Sequence, residues 1–322
     1  MNFIFSSHFK KHIEDFIEQK HACGFLYKSP IHWLLTFDRF CQEHYSKETQ
    51  LTQKLVMHWA QRLPNEHLKT LESRIVVVRQ LAKYLNQIGY VGYIIPFGIL
   101  RKIPRYVPHN YTEQELKLFF TAIDQYTYIS TSPARHLVVP VIFRVLYCCG
   151  LRSSEATGLK VSDVDLEIGK LTIRQAKGNK DRAVMLSQDI LHLCRIYHEK
   201  INLIFPKRIY FFPNHLGEQY AKKFLATTFH ACWNKTGISY ISGNPPRVHD
   251  FRHGFAVKRL NIWVQEGKDV NAYLPYLSMY LGHASLSETD YYLHLVPEFF
   301  PMMMSQAEEQ FAHLIPEVND EE

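Results

Sequence analysis

Arg152, Lys177, His249, Arg252, His283 and Tyr292 lie far apart in the chain, each in a short polar or glycine-bearing stretch: GLRSSE at 150–155, AKGNKDR at 176–182, HDFRHG at 249–254 and LGHASLSETDYY at 281–292. Taken together these residue types have one chemical logic. Two guanidiniums can grip the non-bridging oxygens of a phosphodiester with paired hydrogen bonds and neutralise the charge that grows as phosphorus is attacked. A hairpin lysine can protonate the leaving oxygen as general acid. Histidines can manage the proton of a tyrosine hydroxyl, whose ordinary pKa of about 10 leaves it mostly protonated at neutral pH. The phenol can then attack phosphorus and store the bond energy as a phosphotyrosyl ester, so that the reaction runs backwards onto another strand. Such a reaction needs neither a metal nor ATP.

Singly, each stretch reads more readily as ordinary structure: Arg152 as a salt-bridge partner, Lys177 as a solvated hairpin lysine, HDFRH as a charged helix start. Other chemistries fit less well. His249 and His253 stand at i, i+4, but the zinc-protease pattern needs Glu directly after the first His, where Asp250 stands, and no further Cys or His lies nearby in sequence. Neither a G-x-x-x-x-G-K-[ST] loop nor a G-x-G-x-x-G turn is present to cradle a nucleotide. No metal and no cofactor is expected.

These side chains need elements to hold them. The first 90 or so residues read as helices. In SRIVVVRQLAKYLNQIG, Val78, Leu81, Ala82, Leu85 and Ile88 form an i, i+3, i+4, i+7 stripe, and Gly89 stands where a helix ends. Arg74, Arg79 and Lys83 fall off that stripe, free to meet solvent or phosphate. Pro104 and Pro108 then break the helical pattern in a stretch made basic by Arg101, Lys102 and Arg105, which reads either as a plain linker or as one that tracks a DNA backbone. Thr112-x-x-Glu115 predicts a capping box at the next helix. KLTIRQAKGNKDRAVMLS predicts two short strands around a Gly-Asn turn, with Lys177 and Lys180 at the tip. The surrounding stretches are helical. The expected fold is thus two domains: an all-α unit over 1–105, and a mainly helical α+β unit with a small antiparallel sheet over 106–298, followed by a tail over 299–322.

The 46% hydrophobic residues suffice for real cores, and the longest apolar runs are too short to span a bilayer. The six cysteines show no C-x-x-C spacing and read as reduced thiols in a cytoplasmic protein. The net charge is +6, but the tail after Phe300 carries six acidic residues and no Lys or Arg, so residues 1–300 carry +12. A basic body suggests a polyanionic partner such as DNA, or an anionic membrane surface.

At these residues the sequence resembles the tyrosine recombinase (phage-integrase) family. G-L-R-x-[ST]-E is matched by Gly150, Leu151, Arg152, Ser154 and Glu155, and the family's hairpin lysine by Lys177. H-x-L-R-H is matched by His249, Arg252 and His253, with Phe251 in place of Leu, and L-G-H…Y by Leu281, Gly282, His283 and Tyr292. The resemblance covers residues 110–297, while the N-terminal part is similar to the family's SAM-like core-binding domain in arrangement and length only. It implies Arg152 and Arg252 as phosphate clamps, Tyr292 as nucleophile, Lys177 as general acid, and His249 and His283 at the phosphate and the proton, with Glu155 and His253 supporting. Tyr291 is then a packing neighbour. It also implies a C-shaped grip on double-stranded DNA, a monomer in solution, and a homo-tetramer on paired sites that exchanges strands through a Holliday junction, associated with the nucleoid. A C-terminal segment that docks onto a neighbouring protomer is matched by PEFFPMMMSQAEEQFAHLI, which reads nearly as well as a helix folded back on its own domain. The stretch between Arg252 and Leu281 is longer than in chromosome-dimer-resolving members and looks more like integrases and transposases of mobile elements; an arm-binding domain of the lambda type is not expected. Two other readings share this residue set or fold: a type IB topoisomerase-like or hairpin-resolving enzyme, and a DNA-binding or directionality factor without catalysis.

Overall fold

The computed structural model describes residues 4–99, 106–174, 181–239 and 245–293, and the chain divides into two compact units, Met1–Tyr106 and Val107–Glu322. The first unit contains α1 (Lys10–Ala22), α2 (Lys28–His44), α3 (Gln53–Trp59) and α4 (Leu68–Gln87), with no strand among its described residues. One stripe from each helix meets in a common core, including Phe16 of α1, Phe37 of α2, Leu55 of α3 and Val78 and Leu81 of α4. Asp38 of α2, itself buried, accepts the backbone N–H groups of Ser6 and Ser7 at 2.8 and 3.1 Å and ties down the segment before α1.

The α4 stripe holds as expected up to Leu85, while Ile88 is exposed. Gly89 (φ 90°) ends the helix in a Schellman turn, with Tyr90 N–H donating to the Leu85 carbonyl at 2.9 Å. Two cations on α4 depart from expectation. Arg74 is not free for phosphate: it is 3% exposed, pairs with Glu66 (Nε to Oε1 2.7 Å), and donates to the Trp59 and Gln61 carbonyls. Here the acid and the open carbonyls around Trp59 outweighed the helical pattern, because a guanidinium with several fixed acceptors tolerates burial. Arg79 is half-buried and donates to the Ile95 and Pro96 carbonyls at 2.8 and 2.9 Å, so it fastens the segment after α4 rather than standing free. Lys83 is exposed, with its ammonium 5.0 Å from the Phe97 ring centroid. Arg101, Lys102 and Arg105 lie outside the described residues.

The second unit contains α5 (Glu113–Asp124), α6 (Arg135–Cys149), α7 (Ser153–Gly158), β1 (Val164–Asp165), β2 (Lys170–Ile173), β3 (Arg182–Met185), α8 (Gln188–Ile204), α9 (Phe224–Lys235), α10 (Asp250–Gln265), α11 (Val270–Leu281) and α12 (Ser287–Asp290). The capping box is present at α5, where Thr112 and Glu115 satisfy each other's backbone N–H. The strands form an antiparallel sheet in the order β1-β2-β3, with Ile173 opposite Arg182. The sequence pattern indicated β2 and β3, while β1 is too short to leave one. α6 is the central element, apolar almost all round and packed against α5, α8 and α10. A satellite core joins α10 to α11 and encloses Tyr292. No helix of the described residues is long and apolar enough to cross a membrane.

Candidate active site

The site is organised by two helix ends. α6 stops at Gly150 (φ 60°) and α11 at Gly282 (φ 65°), both left-handed, a conformation that costs other residues about 1–2 kcal/mol. Close approach adds to this, since a Cβ on Gly150 would stand 2.7 Å from the Phe255 ring and one on Gly282 would stand 3.0 Å from Arg182. At α11 a Schellman turn follows, in which His283 N–H donates to the Ser278 carbonyl at 3.0 Å and so places His283.

The last carbonyls of a helix lack partners within it and carry the negative end of its dipole. Arginines occupy them here. Arg252 of α10 is 1% exposed and donates to the Gly150 carbonyl at 2.9 Å and to that of Leu281. Arg152 donates to the Gly282 carbonyl at 2.9 Å and to Glu155 Oε1 at 2.8 Å. The two sequence-predicted clamps therefore hang from adjacent carbonyls of one turn. Burial, and then the Arg152 charge, lower the Arg252 guanidinium to about 10, which still leaves it protonated at neutral pH. Among the described residues no carboxylate forms an ion pair with Arg252.

Glu155 accepts the Arg152 amide at 2.9 Å, so it caps α7 as well as orienting the guanidinium. On its other side Arg182 forms a fork, Nη1 to Oε1 at 2.9 Å and Nη2 to Oε2 at 2.7 Å, while its Nε donates to the Tyr280 carbonyl at 2.7 Å. Burial alone would raise the Glu155 carboxyl; the bonds from Arg182 and from the Arg152 amide hold it below the usual range.

α10 carries the histidines. Phe251, in place of the family's Leu, is 1% exposed and packs among Tyr111, Phe119 and Phe229, which fixes the rotation of the helix. The rings of His249 and His253 stand 4.9 Å apart and perpendicular. His249 keeps an exposed edge, yet desolvation by the protein around it, with the charges of His253, Arg252 and Arg247, lowers its imidazole to about 4. His253 falls to about 4 as well, through burial and then Arg247 and Arg252. Both are neutral at physiological pH. Among the described residues no three His, Cys, Asp or Glu side chains converge as a metal site would require.

Tyr292 is 3% exposed, with its ring 5.4 Å from that of His253 and 6.0 Å from that of His283. Burial raises its hydroxyl pKa, and Arg252 opposes this by charge and hydrogen bonding. Tyr291 is half-buried, with its ring 6.0 Å from that of Tyr292. The described residues thus bring together Arg152, Glu155, His249, Arg252, His253, His283 and Tyr292, whereas Lys177 and Lys180 lie outside them. Beside this turn a cleft of about 470 Å³ opens, lined by Arg182, Met279, His283 and Leu286 among others.

Two participants were missed by sequence reasoning. Arg182 had a faint signal: it stands two residues before Val184, which is buried, and so on the inward face of a period-2 strand. Thr289, fully buried, bonds His283 Nδ1 through its hydroxyl at 2.7 Å. Within SLSETD nothing distinguishes it from its hydroxylated neighbours.

The sequence matches the phage integrase family over residues 109–298. Among relatives, the integrase/recombinase y4rB of Sinorhizobium fredii is 28% identical over 314 residues, covering 95% of this chain and 98% of that protein. Tyrosine recombinase XerD of Proteus mirabilis is 29% identical over 64% of this chain and 61% of its own length. The Tn1549 transposon integrase, solved in complex with transposon right end DNA, is alike in fold, with a TM-score of 0.66 at 15% identity over 92% of this chain and 98% of that one.

Proposed function

The chain belongs to the phage integrase family and is a tyrosine site-specific recombinase; on that premise we propose that Tyr292 cleaves DNA through a covalent 3′-phosphotyrosyl ester. The observation that carries this reading is the pair of guanidiniums, Arg152 and Arg252, on adjacent carbonyls of the turn that precedes the buried Tyr292. In the proposed reaction a scissile phosphate binds the two arginines. The Tyr292 oxygen bonds to phosphorus as its proton passes to a neutral imidazole or water, and the 5′-oxygen leaves with a proton from Lys177. Reversal onto a second strand rejoins DNA, and pairwise exchange in a tetramer passes through a Holliday junction.

The helical bundle of the first unit supports its assignment as a core-binding domain. The longer stretch before Leu281 supports a mobile-element role. The tail, residues 299–322, carries apolar Phe and Met residues suited to docking on a neighbouring protomer, and the exposed Met279 and Leu286 beside the cleft are an acceptor of matching character. Its acidic end would stay in solvent.

Trapping on a nicked suicide duplex built from the DNA flanking the gene tests the proposal. Wild type and Tyr291→Phe should form an adduct that survives denaturation, and Tyr292→Phe none. An adduct with Tyr292→Phe overturns the assignment of the nucleophile.

A further inference from the structure

Arg182 binds three elements at one point. It sits at the start of β3, which pairs antiparallel with β2. Its two terminal nitrogens fork onto Glu155 of α7, the same carboxylate that orients Arg152. Its Nε holds the Tyr280 carbonyl in the last turn of α11, and its side chain fills the space that any Cβ at Gly282 would need. The side chain is 7% exposed, as is Glu155, so the fork is shielded from solvent. A buried ion pair of this kind is weak grounds for stability, since its desolvation roughly offsets its attraction. Its geometry, however, is specific: a planar fork fixes a carboxylate in position and rotation as an ammonium does not.

We propose that Arg182 is a positioning residue for strand cleavage, which holds Glu155 and thereby the Arg152 guanidinium in register with the Gly282 turn and the base of the hairpin. Arg182 does not touch the phosphate. It acts through Glu155, and the inference rests on the assignment of Arg152 as a phosphate clamp. Because the Arg152 side chain is anchored, among the described residues, by Glu155 and the Gly282 carbonyl, and Arg182 braces Glu155 and packs against the Gly282 turn, freeing that brace misplaces a group whose effect depends on sub-ångström placement.

The experiment measures the rate of adduct formation on the nicked suicide duplex, with DNA affinity and thermal melting, for Arg182→Ala, Arg182→Lys, Glu155→Gln and the double variant Arg182→Ala/Glu155→Gln. Arg182→Ala should slow cleavage about 10- to 100-fold while affinity changes little. Arg182→Lys, which keeps the charge and loses the fork, should not restore the rate. The double variant should be no slower than the slower single one, since the two residues act as a unit. A wild-type rate in Arg182→Ala or Arg182→Lys, or losses that multiply in the double variant, overturns the inference. If Arg182→Ala does not melt cooperatively, Arg182→Lys carries the same comparison. Absence of any adduct in the wild type would instead strike at the proposed function.

Discussion

The Thr289 hydroxyl lies 2.7 Å from Nδ1 of His283, across a single turn of chain, and fixes which face of the imidazole is turned toward the neighbouring side chains. Thr289→Val keeps the shape and removes the bond. It should slow adduct formation about tenfold, within the range that general acid–base groups contribute, and Thr289→Ser should recover most of the rate. Equal rates for Val and wild type would remove Thr289 from the site.

Acid should destabilise this protein through the two imidazoles at the start of α10. His249 and His253 have folded-state values of about 4, below the ordinary 6.5. Between these values the unfolded chain binds more protons than the folded one, so stability rises with pH across the window. The contribution is full above about pH 6.5 and is lost as pH falls through about 4. Melting temperature should therefore drop steadily from pH 7 to pH 4.5. In His249→Gln/His253→Gln the drop should be smaller, and an unchanged drop would refute the assignment.

Gly150→Ala forces a left-handed backbone on alanine and drives a methyl to 2.7 Å from the Phe255 ring. Strain and overpacking together should cost about 2–4 kcal/mol, read from a shift of the denaturation midpoint. Phe255→Ala in the same background should cost less than in the wild type, because it removes the atoms in the clash and leaves the backbone strain.

Arg74 should matter to folding and not to DNA. Removing one partner of a buried pair leaves the other uncompensated, so Arg74→Ala should destabilise by about 3–5 kcal/mol. The slope of log affinity against log salt should be unchanged, since no phosphate contact is lost. Lys83, which is exposed, offers the contrast: Lys83→Ala should leave stability within about 0.5 kcal/mol.

The legible part of the sequence was whatever local chemistry sets. The capping box at Thr112, the glycine stop at Gly89, the β2–β3 pairing and the run of apolar positions on α4 all follow from short-range rules, and each is present. Motif spacing also marked Arg152, Arg252 and Tyr292, which the fold brings to one turn. What could not be read was partnership over distance. Arg74 looked solvent-facing because its partner Glu66 and the acceptor at Trp59 lie in a loop and another helix. Arg182 could not be tied to the site because Glu155 lies 27 residues away. Charged residues obey periodicity only until a fixed counter-charge offers a better place.

The two helix ends have an electrostatic consequence. Because neutral carbonyls hold Arg252 and share with Glu155 in holding Arg152 and Arg182, three guanidiniums gather round the Gly282 turn against one carboxylate, Glu155, among the described residues. With His249 and His253 uncharged at neutral pH, this group keeps two positive charges in excess. A resting phosphodiester supplies one negative charge, and the phosphorus under attack by a phenolate carries two. On the proposed reaction the surplus would match the second state and favour the moment of bond exchange over the bound substrate.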